Sequence, residues 1–279
     1  MSNIPADEGL MSTELMLGVF GLSGIASGFL AGLFGIGGGL IMVPVLVYTF
    51  KTMGMAADHV LTMALGTSMA AIVFTSAQSA YGHYCKGTAS VEKIRRAVPW
   101  VVAGVLIGGA IAARTPAHPL LIFVGGFQLF AALLMLTDVS KLVTLQSLAR
   151  GGLTLGFLSL VFGGVAAMVG IGGGTLFTPY FKASGMEPKL AIGTSAAIGL
   201  PLSLAGALAY GWEGWGVSGD QWALGYIDIP AALALVLGTL LTVRLGVTTA
   251  HWLPSRALAG LFALFLTFNG SHLLYSALG

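Results

Sequence analysis

Charged side chains are scarce in this sequence, and their scarcity excludes most soluble folds. Only 8% of the 279 residues are charged, whereas 56% are hydrophobic. A soluble domain carries about 25% charged residues. This chain has too few charges to cover a surface in contact with water, so lipid must be the solvent for much of it. The sequence therefore predicts an all-α polytopic membrane protein.

Several reactive arrangements are also missing. The single cysteine, Cys85, excludes an internal disulfide, a CxxC motif and a zinc site. The apolar runs hold no paired carboxylates for acid–base catalysis and no acidic ladder for proton transfer. The chain contains no Gly-x-Ser-x-Gly elbow and no HExxH motif. The net charge of +2 is small and scattered, so we expect no nucleic-acid partner, no cofactor, no metal and no enzyme activity.

Long apolar runs set the expected membrane topology. A spanning helix needs about 20 mostly apolar residues. Eight runs meet that length approximately, at 14–34, 60–82, 97–113, 119–137, 151–169, 190–210, 222–243 and 254–275. Two shorter runs, 40–50 and 175–181, are expected to form half-helices or the return arms of hairpins. Residues 1–13 carry no Lys or Arg, so 14–34 is expected to be a retained membrane segment rather than a secretory signal.

Glycine is abundant, with 42 residues, and its main cluster occurs twice. Gly35–Gly39 is followed by Pro44, and Gly170–Gly174, 135 positions later, is followed by Pro179. Two further blocks recur in the same order: Gly-Thr-Ser at 66–68 and 193–195, and a block from a proline to an arginine at 99–114 and 230–244. Three ordered matches predict an internal repeat. We expect a first membrane repeat at 14–137, a linker at 138–150 and a second repeat at 151–279, after a non-cytoplasmic N-terminus at 1–13.

The basic residues favour one arrangement of these repeats. The loop 83–97 is the most basic and is expected in the cytoplasm. If each glycine-broken pair of segments enters and leaves on the same side, ten of the 12 basic residues are cytoplasmic, and only Lys51 and Arg114 are outside. If each pair crosses only once, six of the basic residues are cytoplasmic and six are outside. The first arrangement predicts two inverted five-segment repeats, as in many secondary transporters, with both termini outside the cytoplasm.

The glycine runs are the leading candidates for a binding site. A glycine costs a helix roughly 1 kcal/mol relative to alanine, and non-helical backbone at membrane depth must be satisfied by protein or water. A helix that restarts after each run has free N–H groups at its positive end. We therefore expect Gly37, Gly38 and Gly39 to form an anion site with Gly172, Gly173 and Gly174. The alternative is that these glycines only permit close helix packing.

Hydroxyl side chains near the runs are the next candidates. Hydroxyls can donate hydrogen bonds to an anion without placing a fixed charge in the membrane. Thr67 and Ser68 share a polar stripe with Thr75 and Ser79, and Gln78 lies at its edge. In the second repeat, Thr194 and Ser195 are the equivalent pair. The alternative role for the Thr-Ser pairs is interhelical hydrogen bonding.

These motifs resemble those of the sulfite exporter TauE/SafE family. The resemblance is carried by Gly28–Gly39 with Val43-Pro44, by the second copy from Gly163 to Pro179, and by the two Gly-Thr-Ser blocks in register. It implies a secondary transporter in the bacterial inner membrane that carries small sulfur-containing anions such as sulfite, sulfoacetate or other organosulfonates. An inside-negative potential favours export of an anion by about 2.3 kcal/mol per charge per 100 mV. A passive anion channel and a proton-coupled importer remain alternatives. The expected partners are the anion and the lipid bilayer, and a homodimer is left open.

Overall fold

A computed structural model describes residues 13–34, 38–136, 152–216, 222–249 and 255–278. These ranges contain ten α-helices, five in each half of the chain. The first half contains α1 (Thr13–Phe34), α2 (Gly39–Thr52), α3 (Ala57–Cys85), α4 (Val91–Arg114) and α5 (Ala117–Leu136). The second half contains α6 (Gly152–Val169), α7 (Gly174–Ala183), α8 (Pro188–Glu213), α9 (Ile229–Thr249) and α10 (Ser255–Leu278). The N-terminal residues 1–12 and the linker predicted at 138–150 lie outside the described residues.

The helices agree with the predicted apolar runs, with one correction. Within the described ranges, five helical stretches are long and apolar enough to cross a bilayer: 57–85, 91–114, 117–134, 188–213 and 229–246. The run predicted at 222–243 does not begin as a helix. It begins with an antiparallel hairpin of β1 (Ala223–Leu224) and β2 (Ile227–Asp228), because Gly225 adopts a φ of 60°. The Asp228 carboxylate then accepts a hydrogen bond of 2.8 Å from the Ala231 N–H and caps α9.

The two helices that follow the glycine runs are short. α2 has 14 residues and α7 has 10, so they extend about 21 Å and 15 Å. Neither reaches across a hydrocarbon core of about 30 Å. Gly38 precedes α2 with a φ of 79°, and Gly170 follows α6 with a φ of 72°. Only glycine adopts such angles at low cost, so the helix breaks follow directly from the glycine runs.

The centre of the molecule is an antiparallel pair formed by α3 and α8. Gly66 on α3 lies against Tyr210 near the end of α8, while Gly193 near the start of α8 lies against His83 near the end of α3. Between these contacts, Ser76 lies against Gly199. The three contacts show that the two helices run in opposite directions.

Glycines bring the outer helices into backbone contact with the opposite half. α1 packs along α9, where Gly24 lies against the Leu235 backbone, and α6 packs along α4, where Gly104 lies against the Leu160 backbone. α5 packs along α10 where Gly125 and Gly270 meet. The two contacts are equivalent, because α1 and α9 correspond in the repeat to α6 and α4. This close approach is the packing role expected of small residues in membranes.

Candidate functional site

The described parts of the two glycine runs lie next to each other in the protein interior. A methyl group added at Gly39 would collide with the Gly170 carbonyl oxygen and would lie 3.0 Å from the Ile171 Cα. The Ser68 hydroxyl, from the first half, lies 3.2 Å from the same Gly170 oxygen and 2.8 Å from the Leu65 carbonyl oxygen, with hydrogen-bond geometry to both. Two of the predicted site residues, Gly39 and Ser68, are thus brought to the second run. Gly37 lies outside the described residues.

The start of α7 is buried against α8. A methyl group added at Gly173 would lie 2.9 Å from the Ser195 carbonyl oxygen and 3.0 Å from the Gly199 nitrogen. Gly172, Gly173 and Gly174 are all buried, and the Gly173 carbonyl accepts the first helical bond, 3.0 Å from the Phe177 nitrogen. The first N–H groups of a helix have no intrahelical acceptor and form its positive end. The chain therefore places helix-start N–H groups inside the molecule.

A small cavity of about 20 Å³ lies where α7 begins, between α3 and α8. We refer to it as the central cavity. Hydroxyl groups of α3 line one side and glycines of α7 and α8 line the other. Its lining consists of Ala31, Thr75, Ser76, Ser79, Gly173, Gly174, Ala196, Gly199 and Val243. A space of this size holds one water molecule or a little more.

Among the described residues that line it, the central cavity has hydrogen-bond donors and no ionisable side chain. Hydroxyls and helix-start N–H groups both donate to a negative charge, and a helix N-terminus favours an anion electrostatically. Within the part of the chain that the structure describes, no cluster of three or more His, Cys, Asp or Glu residues could hold a metal ion. The hydroxyl and N–H donors of the lining suit a small anion.

The predicted Thr-Ser pairs make hydrogen bonds that join the two halves. The Thr67 hydroxyl accepts a bond of 3.0 Å from the Asp228 N–H, and the Thr194 hydroxyl accepts a bond of 3.0 Å from the Ser90 N–H. Both threonines are fully buried. We call these bonds the Thr67 latch and the Thr194 latch. They support the alternative role of interhelical bonding at these threonines, and direct contact with a substrate stays a prediction.

The remaining predicted residues have more local environments. The Ser195 hydroxyl donates to the Ala191 carbonyl oxygen at 2.7 Å within α8. Gln78 does not line the central cavity, although its buried Oε1 has no hydrogen-bond partner among the described residues. The same holds for the Oγ1 of Thr175, the residue that follows Gly174. Unpaired buried acceptors and hydroxyls are costly, and neither of these two residues lines the central cavity.

Five of the nine residues that line the central cavity, Ser76 and Gly199 among them, were not predicted as candidates. Ser76 lies one helical turn before Ser79, a spacing that places both on one face of α3. Gly199 lies four residues after Ser195, on the face of α8 that meets α7. A signal for Ser76 was present in that spacing. Gly199 could be identified only once the face of α8 that packs against α7 was known.

Comparison with known proteins identifies the family of this chain. The model of the family described as sulfite exporter TauE/SafE matches residues 20–273. This chain belongs to the TauE/SafE family. A Haemophilus influenzae relative named "Probable membrane transporter protein" is 35% identical over 247 residues, which cover 88% of this chain and 93% of that protein. No solved structure matches the chain.

More distant TauE/SafE relatives have similar names. The Bacillus subtilis "Probable membrane transporter protein YunE" is 23% identical over 276 residues, covering 91% of this chain and 96% of that protein. The Methanocaldococcus jannaschii "Probable membrane transporter protein MJ0441" is 27% identical over 241 residues, covering 84% of this chain and 86% of that protein. The family, these names and the apolar helices indicate that the chain is a multi-pass membrane transporter rather than an enzyme.

Proposed function

We propose that this TauE/SafE protein carries small sulfur-containing anions, such as sulfite, sulfoacetate or other organosulfonates, across the bacterial inner membrane by alternating access. The observation that carries the proposal is the central cavity, where the Ser76 and Ser79 hydroxyls of one half lie opposite the helix-start glycines of the other. The Thr75 hydroxyl of the same lining donates to the Ile72 carbonyl oxygen at 3.0 Å. Oxyanions accept hydrogen bonds from such donors. In this conformation the central cavity is too small for these anions. The proposal therefore requires the surrounding helices to move apart before an anion enters, as the helices of a carrier do.

An inverted repeat is part of the proposal, and the direction of the helices supports it. α3 and α8 are equivalent helices of the two repeats, yet they pack antiparallel. A two-fold axis that exchanges antiparallel spanning helices lies in the membrane plane, which is the geometry of inverted-repeat transporters. If each glycine-broken pair crossed the membrane only once, α3 and α8 would run in the same direction.

An ion pair between the halves supports the same topology. Arg114 at the end of α4 lies 3.0 Å from Glu213 at the end of α8. In the inverted arrangement both helices end on the non-cytoplasmic side. With single crossings the two ends would lie on opposite sides of the bilayer, at least 30 Å apart. The inverted arrangement also places ten of the 12 basic residues and the 83–97 loop in the cytoplasm.

Labelling of cysteines tests this topology. Cys85 is the only cysteine of the chain and is exposed at the end of α3. A membrane-impermeant maleimide is expected to label it only after cells are permeabilised. In a Cys85→Ser background, Pro116→Cys is expected to be labelled in intact cells, because Pro116 is exposed between α4 and α5 on the other side. Labelling of both positions from the same side would contradict the inverted arrangement.

The two latches provide a basis for the proposed alternating access. Thr67 lies in the first half of α3 and Thr194 in the first half of α8. Because these helices are antiparallel, the latches lie toward opposite sides of the bilayer. Each latch satisfies a backbone N–H of the opposite repeat. Opening the cavity to one side is proposed to break the latch on that side while the other holds.

Replacement of each latch threonine by valine is expected to favour opening on its own side. The change removes the hydrogen bond that joins the two halves on that side in the closed state, at a cost of about 1–3 kcal/mol. The reporter is a cysteine placed in the central cavity by Ala196→Cys, in the Cys85→Ser background. We expect Thr67→Val to increase maleimide labelling of this cysteine from the non-cytoplasmic side. We expect Thr194→Val to increase its labelling from the cytoplasmic side. Thr248→Val is the control, since Thr248 is exposed and bonds only within α9. Increased labelling from the same side of the membrane in both variants would contradict the mechanism.

A ligand screen tests the proposed substrate class. The purified protein is heated with sulfite, sulfoacetate, thiosulfate, sulfate and simple carboxylates in turn. A ligand of the native state at 100 times its Kd adds about 2.7 kcal/mol of stability. We expect the apparent melting temperature to rise with sulfite or a sulfonate. A rise with carboxylates alone, or with no anion, would overturn the proposed function.

A further inference from the structure

The two repeats differ at the positions that decide whether a cavity exists. The Gly-Thr-Ser blocks set an offset of 127 between α3 and α8, since Gly66 corresponds to Gly193. At this offset, the cavity residues Ala196 and Gly199 correspond to Met69 and Ile72. The second repeat thus has a methyl group and a hydrogen atom where the first has two large side chains.

Those large side chains fill the equivalent space in the first repeat. A methyl group added at Gly39 would lie 2.8 Å from the Ile72 Cδ1, and one added at Gly206 would lie 2.9 Å from the Met69 sulfur. Met69 and Ile72 are both fully buried. Ile72 and Met69 therefore occupy space beside Gly39 and Gly206, whereas their equivalents Gly199 and Ala196 line the central cavity.

The hydroxyls show the same asymmetry in reverse. Thr75, Ser76 and Ser79 on α3 correspond to Leu202, Ser203 and Gly206 on α8. Only Ser203 keeps a hydroxyl, and it donates at 2.8 Å to the Gly199 carbonyl oxygen of its own helix. The first repeat therefore supplies the side-chain donors, and the second supplies the glycines.

We propose that each chain binds one small oxyanion in a single asymmetric lobe of the site. Ser76 and Ser79 are its side-chain donors, and the start of α7 at Gly173 and Gly174 supplies its backbone donors. Gly38 and Gly39 then serve packing between the repeats rather than binding. This inference rests on the proposed function, and it identifies which half of the predicted symmetric site binds the ligand.

Paired serine variants test the asymmetry by calorimetric titration with sulfite. Ser76→Ala is expected to weaken binding about ten-fold or more, because hydrogen bonds to charged groups are among the strongest. Ser203→Ala, its repeat equivalent, is expected to leave affinity within about two-fold of the wild type, since its hydroxyl bonds only within α8. Ser79→Ala, on the half-buried side of the cavity, provides a second variant if Ser76→Ala does not fold. The wild type is expected to bind one anion per chain.

The possible outcomes separate this inference from the proposed function. Two anions per chain, or an equal loss of affinity in the Ser76 and Ser203 variants, would overturn the single lobe while leaving anion transport intact. Unchanged affinity in both Ser76→Ala and Ser79→Ala would also overturn it. Absence of binding by the wild type to sulfite, sulfoacetate or thiosulfate would overturn the proposed function and this inference together.

Discussion

Gly199→Ala is expected to abolish transport and to weaken sulfite binding at least about ten-fold, while the protein still folds and inserts. The added methyl group would lie 3.1 Å from the Ser76 Oγ, 3.4 Å from the Gly173 nitrogen and 3.7 Å from the Ser76 Cβ. It would therefore occupy the space between the hydroxyl donors and the helix start. Transport assays in liposomes and titration with sulfite measure the two effects.

The fold is expected to tolerate this methyl group. The nearest atom is a serine hydroxyl, which can rotate away, and alanine favours a helix over glycine by about 1 kcal/mol. Gly82→Ala is the matched control on α3, because nothing lies within 4 Å of a methyl group added there. Wild-type affinity in Gly199→Ala would show that the anion binds elsewhere. Equal losses in both variants would point to a general effect on the helices.

Gly39→Ala is expected to reduce the yield of folded protein severely. A methyl group at this position would collide with the Gly170 carbonyl oxygen and lie 2.8 Å from the Ile72 Cδ1. A backbone carbonyl cannot rotate away as a side chain does. Overpacking of an interior usually costs about 1–3 kcal/mol, and contact with backbone at a break between two helices is expected to reach or exceed the top of that range.

Size-exclusion profiles and apparent melting temperatures measure this loss. Gly126→Ala on α5 is the control, because that position is exposed and a methyl group there would have no neighbour within 4 Å. We expect the control to match the wild type and Gly39→Ala to melt at a much lower temperature or to aggregate. Normal stability of Gly39→Ala would contradict the close contact between the two glycine runs.

The sequence predicted the helices well because membrane spans follow directly from apolar length. Each of the eight long runs overlaps a helix, and the glycine runs coincide with the breaks before α2 and α7. The start of α9 was predicted too early, since the apolar stretch before Asp228 forms a hairpin. The positive φ of Gly225 and the cap at Asp228 decide that local structure, and hydropathy does not report either feature.

The binding residues were only partly predictable. The duplicated glycines identified α7, and the polar stripe identified Thr75 and Ser79, both of which line the central cavity. The repeated Gly-Thr-Ser blocks suggested that both halves contribute alike. Repetition conceals a difference of size: Ile72 fills a space that Gly199 leaves open. Such a difference becomes visible only when the packing partners of each helix face are known.

Counterflow of labelled sulfite in liposomes is the most direct test of the central claim, that the chain is a carrier with one anion site between its repeats. Vesicles are loaded with unlabelled sulfite and diluted into a trace of labelled sulfite. A carrier is expected to accumulate the label transiently, because outgoing anions return the site to the outside, and Gly199→Ala vesicles should accumulate none. Entry of label at the same rate with and without internal sulfite would contradict the carrier account.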